Sequence, residues 1–483
     1  MVGKKATYLY IESIITMSIG YFLWFILSRI TTLEVIGVSS TVISLTLIFS
    51  TIVDLGISFG STRFLARTFS EGRTEDTKVM IGASLLLLSL AVAACSSTVL
   101  FFRYMVFPTT IGFDLILVSI LTLGVSSVNA LLRSFILSSL ETQSIPKITI
   151  ISSILQVSVT ILLVLLGMGA IGITIGYLAG FMLGTILLSY TLLKILKPSR
   201  NESRTRLSLA CRNILVASIS SWVPKVMSVI GARLGTVVVF GTEGASHAGS
   251  YFIATSVFYA ITAVMDALNS VAFPILSAMD DQRKKFVWRL IKMILITTLP
   301  ISSVATIYSD EIMGIFGPDY IQASLPLKII LLSTLTYTFN VCITILVYSY
   351  GNYWQVLYIG IGSSSSRIAL YFILVPLYGA LGSAIAFTTG SIIGFVIAAF
   401  VAKKVGMKIF WRELVLLFAI PNAVGLLLGS FQVEYMIGIP VIFTASFALF
   451  LRLRLLTKPD LYDSVAILPD CVAKPLINVL NKF

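Results

Sequence analysis

The chain alternates long apolar stretches with short polar segments. Fourteen stretches have about the 20 residues that an α-helix needs to cross ~30 Å of hydrocarbon. Their approximate limits are 8–29, 35–60, 79–102, 113–139, 147–167, 170–193, 213–240, 248–276, 287–308, 325–350, 354–376, 379–402, 412–430 and 434–451. Two connections are very short, but each has a turn signal, Gly167-Met168-Gly169 and Pro376-Leu377-Tyr378-Gly379. The pattern therefore predicts an all-α polytopic membrane protein with fourteen spans, numbered 1 to 14 in chain order.

The composition agrees with a chain that lies in a bilayer. Of 483 residues, 57% are hydrophobic and 11% are charged, whereas a soluble domain has roughly 25% charged residues. Lys4 and Lys5 precede a first span that is too long for the apolar core of a signal peptide, so we expect an uncleaved anchor. The net charge is +13. Because no basic stretch interleaves with aromatic residues in a groove-like pattern, we predict no nucleic-acid partner.

The basic residues also predict the orientation of the chain. If the N-terminus is cytoplasmic and all fourteen spans form, 27 of the 34 lysines and arginines lie in cytoplasmic segments. The outer segments keep Arg29, Arg103 and Lys328. This bias follows the positive-inside rule. We therefore predict a multi-pass protein of the cell (plasma) membrane with both termini in the cytoplasm.

Two segments recur along the chain. Residues Gly169 to Gly184 match Gly379 to Gly394 at an offset of 210, and Gly37 to Asp54 match Gly249 to Asp266 at an offset of 212. Spans 1 to 6 therefore repeat as spans 7 to 12. Six spans is an even number, so the copies enter the membrane in the same direction as parallel repeats. Two six-helix lobes are expected to face each other across a central cavity, with spans 13 and 14 extra.

These repeats predict the division of the chain. The expected parts are an N-lobe at 1–193, a cytoplasmic linker at 194–212, a C-lobe at 213–402, spans 13 and 14 within 403–451, and a cytoplasmic tail at 452–483. Span 6 has glycines four residues apart, from Gly172 to Gly184, and span 12 repeats them with one alanine. At helical spacing they form one smooth face, which predicts either close packing inside each lobe or a sliding surface.

Short motifs in a fixed order give the chain a family resemblance. It resembles the polysaccharide and oligosaccharide flippases, O-antigen flippase-like, of the multidrug/oligosaccharidyl-lipid/polysaccharide (MOP) exporter superfamily. The motifs are Ser28-Arg29-Ile30, Val35-Ile36-Gly37, Asp54-Leu55-Gly56-Ile57, Gly231-Ala232-Arg233-Leu234, Gly249-Ser250-Tyr251, Phe273-Pro274-Ile275-Leu276-Ser277 and Ile315-Phe316-Gly317-Pro318-Asp319-Tyr320. The resemblance implies that the protein flips an oligosaccharide linked to polyprenyl phosphate or diphosphate. It implies transfer from the cytoplasmic to the outer leaflet by alternating access, for assembly of a cell-surface polysaccharide or glycan.

A cation-coupled multidrug or metabolite antiporter of the same superfamily is the alternative. The fourteen-span count favours the flippase, because the drug exporters of the superfamily have twelve spans. The sign of the deep charges also separates the two, since an anionic diphosphate needs a basic wall and a cationic drug prefers carboxylates. The deep basic residues outnumber the deep acidic residues by one.

A charged side chain near the middle of a bilayer costs roughly 2.5 to 3.5 kcal/mol on insertion scales, so it is a functional candidate. Lys225 and Arg233 lie eight residues apart in span 7, on one broad face, and Pro224 permits a kink beside Lys225. Arginine offers a bidentate fork to phosphate oxygens, whereas lysine is a point charge. The candidate substrate-binding residues are Arg29, Arg133, Lys225, Arg233 and Arg367. At the repeat offset of 210 the counterpart of Arg367 in the first lobe is Val157, so no basic counterpart is predicted. For each, snorkelling or a salt bridge within the protein is the competing interpretation.

The deep acidic residues predict gating or ion coupling. Asp54 and Asp266 are equivalent in the repeat, which favours a structural or gating role, such as pairing with Arg63 or another base when the inner gate is shut. Glu12 in span 1 is the candidate for coupling to H⁺ or Na⁺, because burial makes a carboxyl easier to protonate. Pairing with a neighbouring helix is the competing interpretation for Glu12.

No residue pattern supports covalent chemistry. Cys95, Cys211, Cys342 and Cys471 are scattered, and the single histidine is His247, so no metal site or disulfide framework is predicted. No phosphate-binding loop or catalytic triad occurs either. We therefore predict a transporter that is not an enzyme and has no cofactor. Its expected partners are the lipid-linked oligosaccharide, membrane lipids and a possible coupling ion, and a monomer is sufficient.

Overall fold

The computed structural model describes residues 2–102, 111–139, 141, 143–196, 206–279 and 281–455. Within these ranges, it does not describe the side chains of residues 2–11, 13, 14, 63, 74, 219–221, 267, 270, 271, 273, 274 and 278. Residues 197–205 of the predicted linker and the predicted tail beyond Leu455 lie outside the described residues. The described residues form α-helices joined by short turns and contain no strand. The predicted all-α class is confirmed.

The described helices fall into two compact units. The first unit, residues 18–249, contains the end of α1 and seven further helices. The bounds are α1 (Val2–Ile30), α2 (Leu33–Val53), α3 (Ile57–Ser70), α4 (Thr74–Phe101), α5 (Phe113–Ser138), α6 (Ser144–Leu165), α7 (Gly169–Ile195) and α8 (Leu207–Glu243). Thr32 caps α2 by accepting a hydrogen bond from the amide of Val35. Glu75 and Asp76 lie in the first turn of α4, where the helix dipole favours negative charge.

The second unit contains residues 1–17 and the chain from Ser250 onwards. Its helices are α9 (Ala245–Ala278), α10 (Arg283–Ile307), α11 (Ser309–Phe316), α12 (Ser324–Leu331), α13 (Thr334–Ser349), α14 (Tyr353–Lys404), α15 (Trp411–Ser430) and α16 (Tyr435–Arg452). A short 3₁₀ helix, Pro318–Ala323, precedes α12. The predicted lobe boundaries differ from this division, since span 7 (α8) belongs to the compact unit that holds spans 2 to 6. The assignment of functional lobes stays a prediction.

Eleven described helices are long and apolar enough to cross a bilayer, or twelve if Pro318–Leu331 and Thr334–Ser349, bent by 49°, form one span. The predicted count of fourteen exceeds the count of twelve because two parts of the chain are counted differently. In α1 (Val2–Ile30) most side chains before Ile15 are not described, and the described apolar part, Ile15–Ile30, is shorter than a full span. The 52-residue helix α14 counts once, although it would be about 78 Å long if straight and contains the non-helical Gly379. The protein is a multi-pass membrane protein, and the number fourteen stays a prediction.

The glycine faces pack inside each unit. In the first unit, a side chain on Gly176 would meet buried Thr160 of α6, and one on Gly184 would meet Asn129 of α5. In the second unit, Gly390 and Gly394 lie in the second half of α14 and pack in the same way against Arg367 and Ser363 in its first half. Packing within each repeat is thus confirmed, because glycine lets the helix backbones approach closely.

A pair of asparagines shows the repeat in three dimensions. Asn129 donates through Nδ2 to the carbonyl oxygen of Phe181 at 3.4 Å. Asn340 donates to the carbonyl oxygen of Ser391 at 3.0 Å. The acceptors differ by 210 residues, as the sequence repeat predicts, but the donors differ by 211. The offset therefore changes by one residue between span 4 and span 6.

This change corrects the predicted counterpart of Arg367. At an offset of 210 the counterpart is Val157. In the structure, however, Gly180 packs against Gln156 just as Gly390 packs against Arg367, an offset of 211. Gln156 is therefore the structural counterpart, and the first repeat has no cation at this place. The prediction was wrong by one residue because the turn before Gly379 is one residue shorter than the turn before Gly169.

The last two helices are fixed to α10 at three points along its length. Lys292 approaches Glu413 of α15 at 3.7 Å and donates to the carbonyl oxygen of Leu455 at 3.2 Å. Further along, Ser303 donates to the carbonyl oxygen of Pro421, and Tyr308 donates to that of Val433. Spans 13 and 14, extra to the repeat, are thus integral to the second unit.

Candidate functional site

The end of α2 forms a tight corner that positions Asp54. Leu55 and Gly56 have positive φ angles of 44° and 72°, and they turn the chain from α2 into α3. A side chain on Gly56 would collide with the backbone of Ser218 in α8, so the corner requires glycine for both its angle and its close approach. The carboxylate of Asp54 accepts hydrogen bonds from the hydroxyl of Ser58 and, at 3.3 Å, from the Ser58 amide.

Lys225 of α8 pairs with this carboxylate. Its Nζ lies 3.2 Å from Oδ2 of Asp54. The Asp54 side chain is 6% exposed and the Lys225 side chain 53% exposed. The carboxylate is therefore buried within the unit, while much of the lysine remains accessible. Trp222, one helical turn before Lys225, donates from Nε1 to the carbonyl oxygens of Thr51 and Ile52 at 3.3 and 3.1 Å.

The structure identifies a basic partner of Asp54, which the sequence left open. The expected pairing was with Arg63 or another base, and within the described residues the base is Lys225. The side chain of Arg63 lies outside the described residues. For Lys225, the salt bridge within one unit is present, which is the competing interpretation to substrate contact. Its exposure leaves the ammonium group reachable by an anion.

The remaining basic candidates of the first unit lie on three helices. Arg233 is partly buried, two turns after Lys225 along α8, and its charge acts on the partly buried Tyr177, whose ring centroid lies 6.5 Å from that of Trp24. Arg29 is exposed at the end of α1, and Arg133 is partly buried in α5. Lys225 and Arg233 are about 12 Å apart along the helix axis at 1.5 Å per residue. One helix thus carries two cations at different depths.

Arg367 is buried in the second unit. Its side chain lies on the buried side of α14, and the residue is 7% exposed. Nη2 donates to Oγ of Ser391 at 2.9 Å, and the guanidinium group lies 4.0 Å from the ring centroid of Phe387. The described arrangement gives Arg367 contacts within its own unit. A mid-span arginine can face either a lumen or a packed interior, and the structure shows the packed one.

The acidic candidates of the second unit occupy different environments. Glu12, on the part of α1 that belongs to this unit, is 2% exposed and is engaged within the protein. Asp266 of α9 is partly exposed. None of the ion pairs between described residues involves Asp266. The two equivalent aspartates therefore differ, because Asp54 has a basic partner and Asp266 has none among the described residues.

Sequence reasoning missed several residues that build these sites. Ser58 and Trp222 hold the corner, and Asn129 and Asn340 fix the helices behind the glycine faces. Trp222 lies three residues before Lys225, a spacing that places both on one helix face and could have indicated a shared role. Among the described residues, no three His, Cys, Asp or Glu side chains come together as metal ligands.

The comparisons with known proteins agree with the fold. The family model described as "Polysaccharide biosynthesis protein" matches residues 2–280. Among solved structures, the lipid II flippase MurJ in an inward closed conformation has a TM-score of 0.71 at 16% identity, covering 93% of this chain and 100% of that chain. The MATE transporter VcmN of Vibrio cholerae has a TM-score of 0.60 at 15% identity, covering 83% and 96%.

A MOP superfamily transporter from Pyrococcus furiosus has a TM-score of 0.58 at 16% identity, covering 84% of this chain and 97% of that chain. At these identities the likeness shows the fold alone. No curated protein matches the sequence.

Proposed function

Because the chain belongs to the polysaccharide biosynthesis protein family, we propose that it flips a lipid-linked oligosaccharide across the cell membrane. The lipid carrier is a polyprenyl phosphate or diphosphate. The oligosaccharide passes from the cytoplasmic to the outer leaflet, for assembly of a cell-surface polysaccharide or glycan. Transport occurs by alternating access of the two lobes. Both termini are cytoplasmic in this proposal, and a monomer is sufficient.

The accessible cations of the first unit carry the proposal. Lys225 has half of its side chain exposed while its counter-ion is buried, so its ammonium group can donate to a second anion. Arg233 adds a guanidinium fork on the same helix, and Arg29 adds an exposed charge at the end of α1. A phosphate or diphosphate group is the anion that such a lysine and arginine pair binds well.

In this proposal the Asp54 corner forms part of the inner gate. Asp54 and Lys225 connect α2 with α8, and an arriving phosphate competes with the carboxylate for the ammonium group. Because an ion pair that exchanges partners changes the contacts of both helices, substrate arrival alters the α2–α8 contact. Arg63, next along α3, is a further candidate for this gate.

Transport by matched variants tests the function. We expect Arg233→Ala to lose most flipping of a fluorescent polyprenyl diphosphate saccharide in proteoliposomes at equal protein content. Arg233→Lys keeps a part, because the charge stays but the fork is lost. Arg412→Ala removes an exposed arginine of α15 and serves as the control. Full flipping by a variant with both Arg233→Ala and Lys225→Ala would remove these residues from the substrate path.

A cation-coupled antiporter is the second candidate. The observation that favours it is Asp266, a partly exposed carboxylate without a basic partner among the described residues. Glu12 is the other candidate for H⁺ or Na⁺ coupling. Export of cationic dyes that depends on an ion gradient and is abolished by Asp266→Asn or Glu12→Gln would support this function. Flipping of the lipid-linked saccharide without such dye export would reject it.

A further inference from the structure

Aromatic side chains of the second unit form one cluster beside Arg367. The rings of Phe258 and Phe387 have centroids 5.3 Å apart, and Tyr337 lies 5.5 Å from Phe258. Tyr259 lies 5.5 Å from Phe258 and 6.5 Å from Phe387. These edge-to-face arrangements fix the position of each ring. The cluster joins α9, α13 and α14.

The cluster has a buried side and an accessible edge. Phe258 is 0% and Phe387 2% exposed, so these two rings lie inside the unit. Tyr259, Tyr337 and Asp266 are partly exposed, and the charge of Asp266 acts on Tyr337. The accessible edge therefore presents two phenol rings and a carboxylate. The cation of the cluster, Arg367, remains behind the rings.

Tyr259 and Asp266 lie on one face of α9. They are seven residues apart, which corresponds to about two helical turns and about 10 Å along the axis. Ser256 and Ala263 continue the same face and are also partly exposed. Most of the remaining surface of the first part of α9 is buried. An accessible strip thus runs from Ser256 past the Tyr259 ring to the Asp266 carboxylate, beside the exposed Ala260 and Val264.

The equivalent strip of the first unit has a different chemistry. At the repeat offset of 212, Tyr259 corresponds to Leu47 and Asp266 corresponds to Asp54. Leu47 provides no flat ring, and Asp54 is buried against Lys225. The first unit therefore exposes cations, whereas the strip on α9 exposes a ring and an acid. The duplicated helix has been used for two kinds of contact.

We propose that Tyr259, Tyr337 and Asp266 form a subsite for the sugar part of the substrate. This inference rests on the proposed flippase function. A sugar ring offers an apolar face to a phenol ring and hydroxyl groups that donate to a carboxylate. A diphosphate is repelled by Asp266. A free cation is disfavoured on these rings, because Arg367 already holds a positive charge 4.0 Å from the Phe387 ring.

Two lipids that differ only in the sugar test the subsite. The probes are undecaprenyl diphosphate and undecaprenyl diphosphate N-acetylglucosamine, and the measured quantity is the ratio of their dissociation constants for the purified full-length protein. We expect the wild type to bind the sugar-bearing lipid more tightly. Tyr259→Leu, which installs the residue of the first repeat, reduces this preference by about fivefold, whereas Tyr259→Phe keeps it because the ring remains.

Asp266→Asn also reduces the preference, and it leaves binding of the sugar-free lipid unchanged or tighter. Arg233→Ala weakens both lipids and leaves the ratio unchanged. A wild-type protein that binds neither lipid would refute the flippase function itself. A wild-type ratio of one, or equal effects of Tyr259→Leu on both lipids, would refute the sugar subsite alone. Loss of Na⁺ or H⁺ dependence in Asp266→Asn with an unchanged ratio would assign Asp266 to ion coupling instead.

Discussion

Replacing Lys225 with methionine is expected to destabilise the first unit more than replacing Asp54 with asparagine. The reason is the unequal burial of the two partners, 53% exposed for the lysine and 6% for the aspartate. Without the lysine, a nearly buried carboxylate keeps only the donors of Ser58 among the described residues. Without the carboxylate, the ammonium group loses its counter-ion but stays exposed, so its burial does not add to the cost.

The magnitudes follow from this asymmetry. A hydrogen bond to a charged group contributes about 1.5–3 kcal/mol, and the partial exposure of this pair reduces that to about 1–2 kcal/mol for Lys225→Met. Asp54→Asn removes an accessible ion pair at a cost of about 0.2–1 kcal/mol. Because the neutral amide of the Asp54→Asn variant does not need a cation, the double variant is expected to resemble Asp54→Asn and not the sum of the two.

Thermal unfolding in detergent measures the order of stabilities. With about 2–4 °C per kcal/mol for a unit of this size, Lys225→Met lowers the midpoint by about 2–8 °C and Asp54→Asn by less than about 4 °C. Lys403→Met removes an exposed lysine at the end of α14 and is the control. A larger loss for Asp54→Asn, or additive losses in the double variant, would refute the argument from burial.

Three further predictions concern packing and topology. Gly176→Val should cost about 1–3 kcal/mol or more, because α6 occupies the space of the new side chain, whereas Gly82→Ala, with open space around it, should leave the melting temperature unchanged. Lys292→Met should loosen the attachment at Glu413 and Leu455 and raise proteolysis next to Leu455, and unchanged protection there would contradict a role for Lys292 in holding that end. Tags at Asn201 and Glu243 should be labelled from opposite sides of the membrane, and labelling from the same side would contradict the predicted orientation.

The periodic part of the architecture was readable from the sequence. Long apolar runs predicted the helices, and the duplicated segments predicted that Asp54 and Asp266 occupy equivalent positions. The predicted pairing of Asp54 with a base was correct in kind. These features depend on local composition and spacing, so one sequence carries them.

The identity of the contacts was not readable in the same way. Lys225 and Asp54 are separated by 171 positions, and their pairing depends on how α2 approaches α8 at a turn that only Gly56 permits. Arg367 fits a lumen or an interior equally well by sequence, because the serines before it, Ser363 to Ser366, are consecutive and mark no single helix face. Its counterpart was misplaced by one residue, since an ungapped comparison does not detect a shortened turn.

That shortened turn also records how the protein arose. Gly169 and Gly379 both have positive φ angles, 51° and 55°, although the residues before them differ in number between the copies. Since the duplication, one copy has lost or gained a residue while both have kept the same backbone angle at the reversal. The direction in which the chain re-enters the membrane therefore depends on the glycine angle, while the connection before it can differ by one residue. In evolutionary terms, a helix pair that reverses at a glycine accommodates an insertion or deletion in its turn.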